Sequence, residues 1–105
     1  VKVLVRRTEG LSPDEARTLT DQLKQKLGSG IVLLGGVREG KAYLVASVSK
    51  DLSGRVSAAG LIKALAPLIG GGGGGRPDFA QAGGSDTEAL DKALAESGSV
   101  LESML

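Results

Sequence analysis

The sequence has no cysteine and no histidine. Their absence excludes the usual zinc sites, cysteine nucleophiles, Ser-His-Asp triads and histidine general bases. Disulfide bonds are excluded as well, so the composition does not indicate a redox compartment. Several classes of enzyme mechanism are therefore closed to this chain.

Aromatic side chains are almost as scarce, because Tyr43 and Phe79 are the only two in 105 residues. A hydrophobic fraction of 41% still supports one folded domain, with a core of leucine, valine, isoleucine and alanine. Proteins that bind single strands by stacking need several exposed rings. Base stacking is therefore not expected to be the main binding device of this domain.

Membrane-targeting signals are missing too, since the sequence has no signal peptide and no apolar run long enough to cross a bilayer. We therefore expect no membrane partner and a cytoplasmic location. The sequence opens on Val1, inside a predicted strand and without an initiator methionine. This start predicts that the domain is part of a larger soluble protein.

The net charge of +1 conceals an uneven distribution of charged residues. Residues 1–76 carry twelve lysines and arginines against six acidic residues, whereas residues 77–105 carry one lysine against six acidic residues. A basic body with an acidic end can present a positive face to nucleic acid while the pI stays moderate. Ordinary solvated surface is the alternative interpretation.

The first part of the sequence predicts a strand followed by a helix. Alternating valines indicate a strand from Val1 to about Arg7. Ser12 and Glu15 form a capping box, with Pro13 at the first helical position, and this pattern predicts the start of a helix. Gly28 predicts the end of the same helix.

The middle of the sequence predicts a hairpin and a second helix. Apolar, β-branched runs at 31–34 and 42–48 are typical of strands, and a turn at 38–41 joins them into an antiparallel hairpin. A second helix is predicted from about Arg55, with Pro67 kinking or tightening its last turn.

The last part of the sequence predicts a loop and a third helix. A glycine-rich loop covers 70–84 and includes a short strand at 79–82. Ser85 and Glu88 form a capping box for the third helix, which Gly98 interrupts. The order β-α-β-β-α-loop-(β)-α predicts an α+β (α/β) fold, a single domain with a small mixed β-sheet and helices packed on it.

Six consecutive glycines, Gly70–Gly75, are the most informative feature of the chain. They run into Arg76 and an Asp-Phe-Ala-Gln block, which a mere tether would not need, although a flexible linker is the alternative. Glycine lets a backbone approach another chain or a polyanion closely. Consecutive bare amides that end in an arginine form the kind of concave donor surface that accepts phosphate oxygens.

Two nucleotide-binding motifs and one carboxylate pair are less informative. The glycine run satisfies G-x-G-x-x-G trivially and follows a predicted helix rather than a strand. A P-loop would need Gly-Lys-Ser/Thr, where this chain has Gly75-Arg76-Pro77. Asp78 and Asp86 could form a metal or acid–base pair, but solvated carboxylates, with Asp86 supporting a helix start, are the simpler interpretation.

The residues predicted to contact nucleic acid lie in the glycine-rich loop and in the segment before the second helix. Arg76 either contacts a phosphate or holds loop carbonyls. Gln81 either reads a base or sugar hydroxyl or satisfies loop backbone, and Lys50 and Arg55 either extend a basic patch or are solvated. The full predicted set is Gly72, Gly73, Gly74, Gly75, Arg76, Gln81, Lys50 and Arg55.

The segment Gly70–Gly84 closely resembles the signature near the C-terminus of alanyl-tRNA synthetases. That domain belongs to the DHH-associated group, which also follows the catalytic domain of DHH phosphoesterases. The phosphoesterases usually carry Gly-Gly-His where this chain has Gly75-Arg76, which favours the synthetase branch. The resemblance extends to four further segments: the strand end Leu33–Gly35, the strand Lys41–Val48, the segment Ser49–Leu52 that follows it, and the helix Leu61–Ala66.

The resemblance implies that residues 1–105 are a C-terminal globular tRNA-binding domain of a larger chain. Such a domain binds the outer corner of tRNA, here alanine tRNA, and helps bring the aminoacylation and editing domains onto it. The implied parent enzyme uses ATP, Mg²⁺ and an editing-site zinc, and no cofactor is expected in this fragment. A homodimer contact is also implied, although the helical segment that usually makes it is missing.

Two other functions are also compatible with the sequence. One is the substrate-binding domain of a DHH phosphoesterase. The other is a dimerisation or protein-interaction module, in which the glycine-rich loop packs against the backbone of a partner.

Overall fold

A five-stranded sheet forms the centre of the structure, a computed structural model that describes residues 2–104. The strands are β1 (Val3–Arg7), β2 (Ile31–Arg38), β3 (Lys41–Val48), β4 (Gly71–Gly75) and β5 (Phe79–Gly84). The α-helices within the described range are α1 (Pro13–Leu27), α2 (Ala58–Leu65) and α3 (Leu90–Met104). Single 3₁₀ turns at Ala66–Ile69 and Thr87–Ala89 follow α2 and precede α3.

The strand order across the sheet is β1-β2-β3-β5-β4. β1 and β2 are parallel because α1 carries the chain across the sheet between them, and every other neighbouring pair is antiparallel. The sheet is therefore mixed, and the predicted α+β architecture with helices packed on a small sheet is confirmed.

One face of the sheet carries the main hydrophobic core. Because side chains alternate along a strand, Ile31 and Leu33 of β2 and Leu44 and Ala46 of β3 point to the same side. The helices α2 and α3 cover this side, and Leu61 of α2 is fully buried there. The other buried members of this core are Ala42, Val48, Leu52, Val56, Ala58, Ile62, Leu65, Ala66, Ile69, Ala80, Ala82, Leu90, Ala93 and Leu101.

The opposite face of the sheet is covered by α1, which lies over β2 and β3. Ala16 and Thr20 of the helix are buried together with Val32, Leu34 and Val45 of the strands. Both faces of the central strands are thus covered, which explains why β2 reads as a continuous apolar run from Ile31 to Leu34.

The β2–β3 hairpin has the predicted turn. Its two central residues, Glu39 and Gly40, have φ angles of 52° and 77°, the left-handed values that a tight two-residue hairpin turn requires. The last rung of the ladder pairs Arg38 directly with Lys41.

The prediction of a glycine-rich loop over 70–84 was wrong for most of its length. Gly71–Gly75 form β4, an edge strand that pairs antiparallel with β5, and only residues 76–78 form the turn between them. Strand patterns are carried by side chains, which glycine lacks, and glycine is normally depleted in strands. The sequence therefore held no signal for this strand.

The predicted helix boundaries are partly confirmed. The Ser12–Glu15 capping box is present, and Gly28 ends α1. The α2 helix begins at Ala58 rather than near Arg55, because the Ser57 hydroxyl accepts the Gly60 N–H and fixes the start there.

The predicted Ser85–Glu88 capping box was also wrong, as was the interruption of the third helix. The carboxylate of Asp86 accepts the Ala89 N–H, so Asp86 caps the turn before α3. The α3 helix continues past Gly98 to Met104 because Gly98 is exposed and its missing side chain leaves no gap in the core.

Candidate nucleic-acid interface

The glycine strand β4 lies closer to β5 than any other residue type would allow at alternate positions. A Cβ atom at Gly71 would lie 2.5 Å from the Cα of Gly84, and one at Gly73 would lie 2.5 Å from the Cα of Ala82. A Cβ at Gly75 would lie 2.5 Å from the Phe79 carbonyl oxygen. Glycine at these three positions is therefore a requirement of strand pairing.

The two intervening glycines have no such constraint. A Cβ atom at Gly72 would meet nothing within 4 Å, and one at Gly74 would lie 3.5 Å from the ε-carbon of Lys63, an ordinary contact. The packing of β4 thus leaves the presence of glycine at position 72 unexplained.

The outer edge of β4 presents backbone amides without side chains around them. The Arg76 N–H donates to the Phe79 carbonyl at 2.8 Å, so Arg76 points its amide toward β5. Because amides alternate in direction along an antiparallel strand, those of Gly71, Gly73 and Gly75 point away from β5. All three residues are exposed, so their donors face the surroundings.

Arg76 continues the exposed edge at the end of β4. Its side chain is 64% exposed, and its Nε lies 3.5 Å from a carboxylate oxygen of Asp78. A surface ion pair of this length contributes little stability. Arg76 is therefore available for an anion, and the hydrogen bonds of residues 2–104 include no link from its side chain to loop carbonyls, which was the alternative.

The turn 76–78 lies against the segment that carries Lys50 and Arg55. The Val48 N–H donates to the Asp78 carbonyl at 2.9 Å, and the Ala58 N–H donates to the Pro77 carbonyl at 2.8 Å. Both ends of segment 49–57 are thus tied to the turn, and Lys50 and Arg55 are exposed within it.

Lys63 is a basic residue of this surface that the sequence analysis missed. It is exposed on α2, and its side chain passes beside Gly74 of β4. Within residues 2–104 it forms no ion pair. The sequence shows Lys63 only as a polar position of an amphipathic helix, because nothing in it reveals that α2 packs beside the glycine strand.

Gln81 lies in the middle of β5, where it pairs with Val45 of β3 and Gly74 of β4. Its side chain is exposed and lines a groove of about 410 Å³ beside α1. The alternative that Gln81 satisfies buried loop backbone is not observed among the hydrogen bonds of the described residues. Gln81 therefore lines this groove, which the glycine strand also borders at Gly72.

The carboxylates with lowered pKa values are engaged in hydrogen bonds within the domain. A hydrogen bond from the Arg7 side chain, followed by one from the Val37 amide, lowers the pKa of Glu9. A hydrogen bond from the Ser29 hydroxyl lowers the pKa of Asp51. The Ser12 amide and hydroxyl lower the pKa of Glu15 at the start of α1.

The described residues offer no obvious metal site. Asp86 is engaged in its cap, and Asp78 lies beside Arg76. Over residues 2–104, no three acidic side chains come together in a way that could hold a metal ion. In the same part of the chain, none of the helices is both long enough and apolar enough to cross a membrane.

Comparison with known proteins identifies the family of this chain. The DHHA1 domain model matches residues 1–103. Over 94 residues, the chain is 50% identical to an alanine–tRNA ligase from Desulfosudis oleivorans; this match covers 90% of the chain but 11% of the ligase. The crystal structure of the C-Ala domain from Aquifex aeolicus alanyl-tRNA synthetase is similar with a TM-score of 0.86 and 31% identity, covering 94% of this chain and 89% of that one.

Proposed function

The chain belongs to the DHHA1 domain family, and from this premise we propose that it is a non-catalytic, tRNA-binding C-terminal domain of an alanine–tRNA ligase. Its similarity to the C-Ala domain of an alanyl-tRNA synthetase supports the synthetase branch over a DHH phosphoesterase. In this role it binds the outer corner of tRNA and brings the aminoacylation and editing domains onto the same molecule.

The exposed glycine strand is the observation that carries this proposal. The outward amides of Gly71, Gly73 and Gly75 have no side chains that would keep a phosphate at a distance. Backbone amides donate well to phosphate oxygens, and such contacts position a protein on a nucleic acid without reading its sequence. Gly72 supports the same interpretation. A side chain would fit at this position without a clash, so packing within the domain does not explain why glycine is found there.

Basic side chains around the strand supply the charge that RNA binding requires. Arg76 and Lys63 are both exposed next to β4. Lys50 and Arg55 lie in the segment that is tied to turn 76–78. Four cations neutralise only a few phosphates, so the isolated domain should bind with modest affinity and a clear dependence on salt.

Both aromatic rings are engaged within the domain. The guanidinium of Arg17 lies 4.8 Å from the centre of the Phe79 ring. The Tyr43 hydroxyl is held by the Thr8 backbone oxygen and the Thr8 hydroxyl. Rings held in this way do not provide a platform for successive bases, which favours recognition of the shape and backbone of folded RNA.

The proposal assigns the chemical steps to the rest of the parent chain. Adenylate formation with ATP and Mg²⁺, and editing with zinc, would lie upstream of a domain that has neither cysteine nor histidine. Alanine tRNA, the other domains of the synthetase and the cytoplasm are the proposed partners and location. Discrimination of alanine tRNA from other tRNAs would lie outside this domain.

A homodimer contact is a second candidate function, favoured by the open edge of β4. An edge strand with unpaired backbone groups can pair with a strand of another molecule. Light scattering separates the two functions, because a strand-paired dimer would have twice the mass of the monomer without any RNA, while tRNA binding would be absent from the wild type.

The proposed function is tested by fluorescence anisotropy with labelled alanine tRNA and an unrelated elongator tRNA at two salt concentrations. We expect both RNAs to bind, more weakly at higher salt, and Arg76→Ala to weaken binding about fivefold. Lys92→Ala, which removes an exposed lysine of α3, is the matched control and should bind like the wild type. If the wild type does not bind at millimolar protein, the proposal fails.

A further inference from the structure

A groove of about 410 Å³ lies beside α1, and the glycine strand forms only part of its lining. It forms because α1 covers β2 and β3 but leaves β5 and β4 open on the same face of the sheet. One wall is apolar and comes from Leu11 and the first turn of α1, with Pro13 and Ala16.

The floor of the groove is nearly flat. Gly72 and Gly83, which pair with each other, contribute backbone without side chains, and Gln81, two residues before Gly83 on β5, contributes an exposed amide. The Tyr43 ring forms the side toward β2, and its hydroxyl is fixed by hydrogen bonds of 2.9 Å and 3.0 Å to the backbone and side chain of Thr8. The groove is therefore preformed, with a flat floor and an apolar wall.

The mouth of the groove carries two positive charges. Arg38 and Lys41 face each other directly on the last rung of the β2–β3 hairpin, and both line the groove. Like charges in directly opposed positions destabilise a strand pair. Neither side chain forms an ion pair within the described residues. A negatively charged ligand at the mouth would relieve this repulsion.

Two carboxylates lie near these cations and affect the charge balance. Glu39, in the hairpin turn, also lines the groove. Glu15 is close enough for Arg38 to contribute to the lowering of its pKa, but its carboxylate accepts the Ser12 N–H and is engaged in the cap. Lys41 is therefore the cation at the mouth with the fewest competing contacts.

We propose that this groove binds one unpaired nucleotide of RNA, an inference that rests on the proposed function and names a second contact for the same partner. The base lies flat on the floor between the α1 wall and the glycine backbone, with its edge hydrogen-bonded to the Gln81 amide. The 5′-phosphate lies at the mouth, against Lys41 and Arg38.

The spacing of the polar groups fits a ligand of this size. Lys41 and Val45, the β3 partner of Gln81, are separated by about 14 Å along an extended strand. Lys41 lines the groove at one end of this span and Gln81 at the other. The space between them accommodates a sugar and a base, whereas inorganic phosphate alone could occupy only the mouth.

The test uses the four ribonucleoside 5′-monophosphates and inorganic phosphate as probes in NMR titrations of the ¹⁵N-labelled domain. We expect at least one nucleotide at millimolar concentration to shift the amide signals of Lys41, Gln81 and Gly83 together. Inorganic phosphate should shift the hairpin signals alone. Lys41→Gln should weaken nucleotide binding about fivefold, and Lys92→Gln on α3, across the sheet, should leave it unchanged.

Each other outcome overturns the inference in a recognisable way. If no nucleotide shifts the groove signals while tRNA binding persists, the groove is not a nucleotide site, although the proposed function stands. If inorganic phosphate and nucleotides give identical shifts, the groove holds an anion without a base. If tRNA binding is absent while a peptide shifts the groove signals, both proposals fail and the groove is a protein contact.

Discussion

A Cβ atom on Gly73 would lie 2.5 Å from the Cα atom of Ala82 in the neighbouring strand. Gly73→Ala must therefore move β4 away from β5. We expect the free energy of unfolding to fall by about 1 to 3 kcal/mol, as in other cases of overpacking. Urea denaturation followed by circular dichroism measures this change.

The matched control is Gly72→Ala, one residue earlier on the same strand. Its Cβ would meet nothing within 4 Å. The free energy of unfolding should stay within about 0.5 kcal/mol of the wild type. Equal destabilisation by the two substitutions would contradict the alternating constraint along β4.

The hydrogen bonds of Tyr43 predict a second stability effect. Its hydroxyl donates to the Thr8 backbone oxygen at 2.9 Å and lies 3.0 Å from the Thr8 hydroxyl. Tyr43→Phe retains the ring over Gly36 but removes both contacts, so we expect a loss of about 1 to 2 kcal/mol in unfolding free energy. An unchanged urea midpoint would show that these bonds do not anchor the ring.

The opposed cations at the end of the hairpin predict a stabilising substitution. Lys41→Gln removes the like-charge pair with Arg38. The unfolding free energy should rise by about 0.3 kcal/mol, since opposed like charges cost a few tenths of a kilocalorie. This gain should shrink at high salt, because screening removes the same repulsion in the wild type. A loss of stability would show that Lys41 contributes to folding.

The capping carboxylate of Glu15 predicts a pH dependence of stability. Its pKa is lowered below the usual 4.5 by hydrogen bonds from Ser12, so the unfolded chain binds its proton more readily than the folded one. Its stabilising contribution is present above pH 4.5 and is lost as the pH falls through the lower, folded-state pKa.

Glu15→Gln isolates this effect, because the amide oxygen can still accept in a capping box while carrying no charge. Urea midpoints of the variant should decline less between about pH 5 and about pH 3 than those of the wild type. The wild-type decline should persist in part, since Glu9 and Asp51 also have lowered pKa values. Parallel curves for the two proteins would contradict the assignment.

The parts of the fold that are encoded in side-chain patterns were predictable from the sequence. The apolar run beginning at Ile31, the turn at Glu39-Gly40 and the capping box at Ser12 each follow from local chemistry, and all three are present. Pro67 tightens the end of α2 into a 3₁₀ turn, as its missing N–H predicts.

The glycine strand and the composition of the surface around it were not predictable. Pairing of β4 is a property of its backbone, so Gly71–Gly75 carried no strand pattern. The choice of Asp86 over Ser85 as cap depends on the path of the chain after β5. The position of Lys63 beside Gly74 depends on tertiary packing, because it requires α2 to lie next to the edge strand β4. Local sequence patterns do not reveal such packing.

The binding of tRNA to the wild type and to Gly72→Ala tests the central claim most directly. We expect the substitution to leave the fold intact, because a Cβ atom at Gly72 would meet nothing within 4 Å. It places a methyl group beside the outward amides of Gly71 and Gly73, where the phosphate backbone would approach. We predict salt-sensitive binding by the wild type and an affinity about tenfold lower for the variant, because the methyl group would hold a phosphate oxygen away from an adjacent amide and weaken a hydrogen bond to a charged group. Equal affinity of the two proteins for tRNA would contradict a role for the glycine strand in contacting RNA.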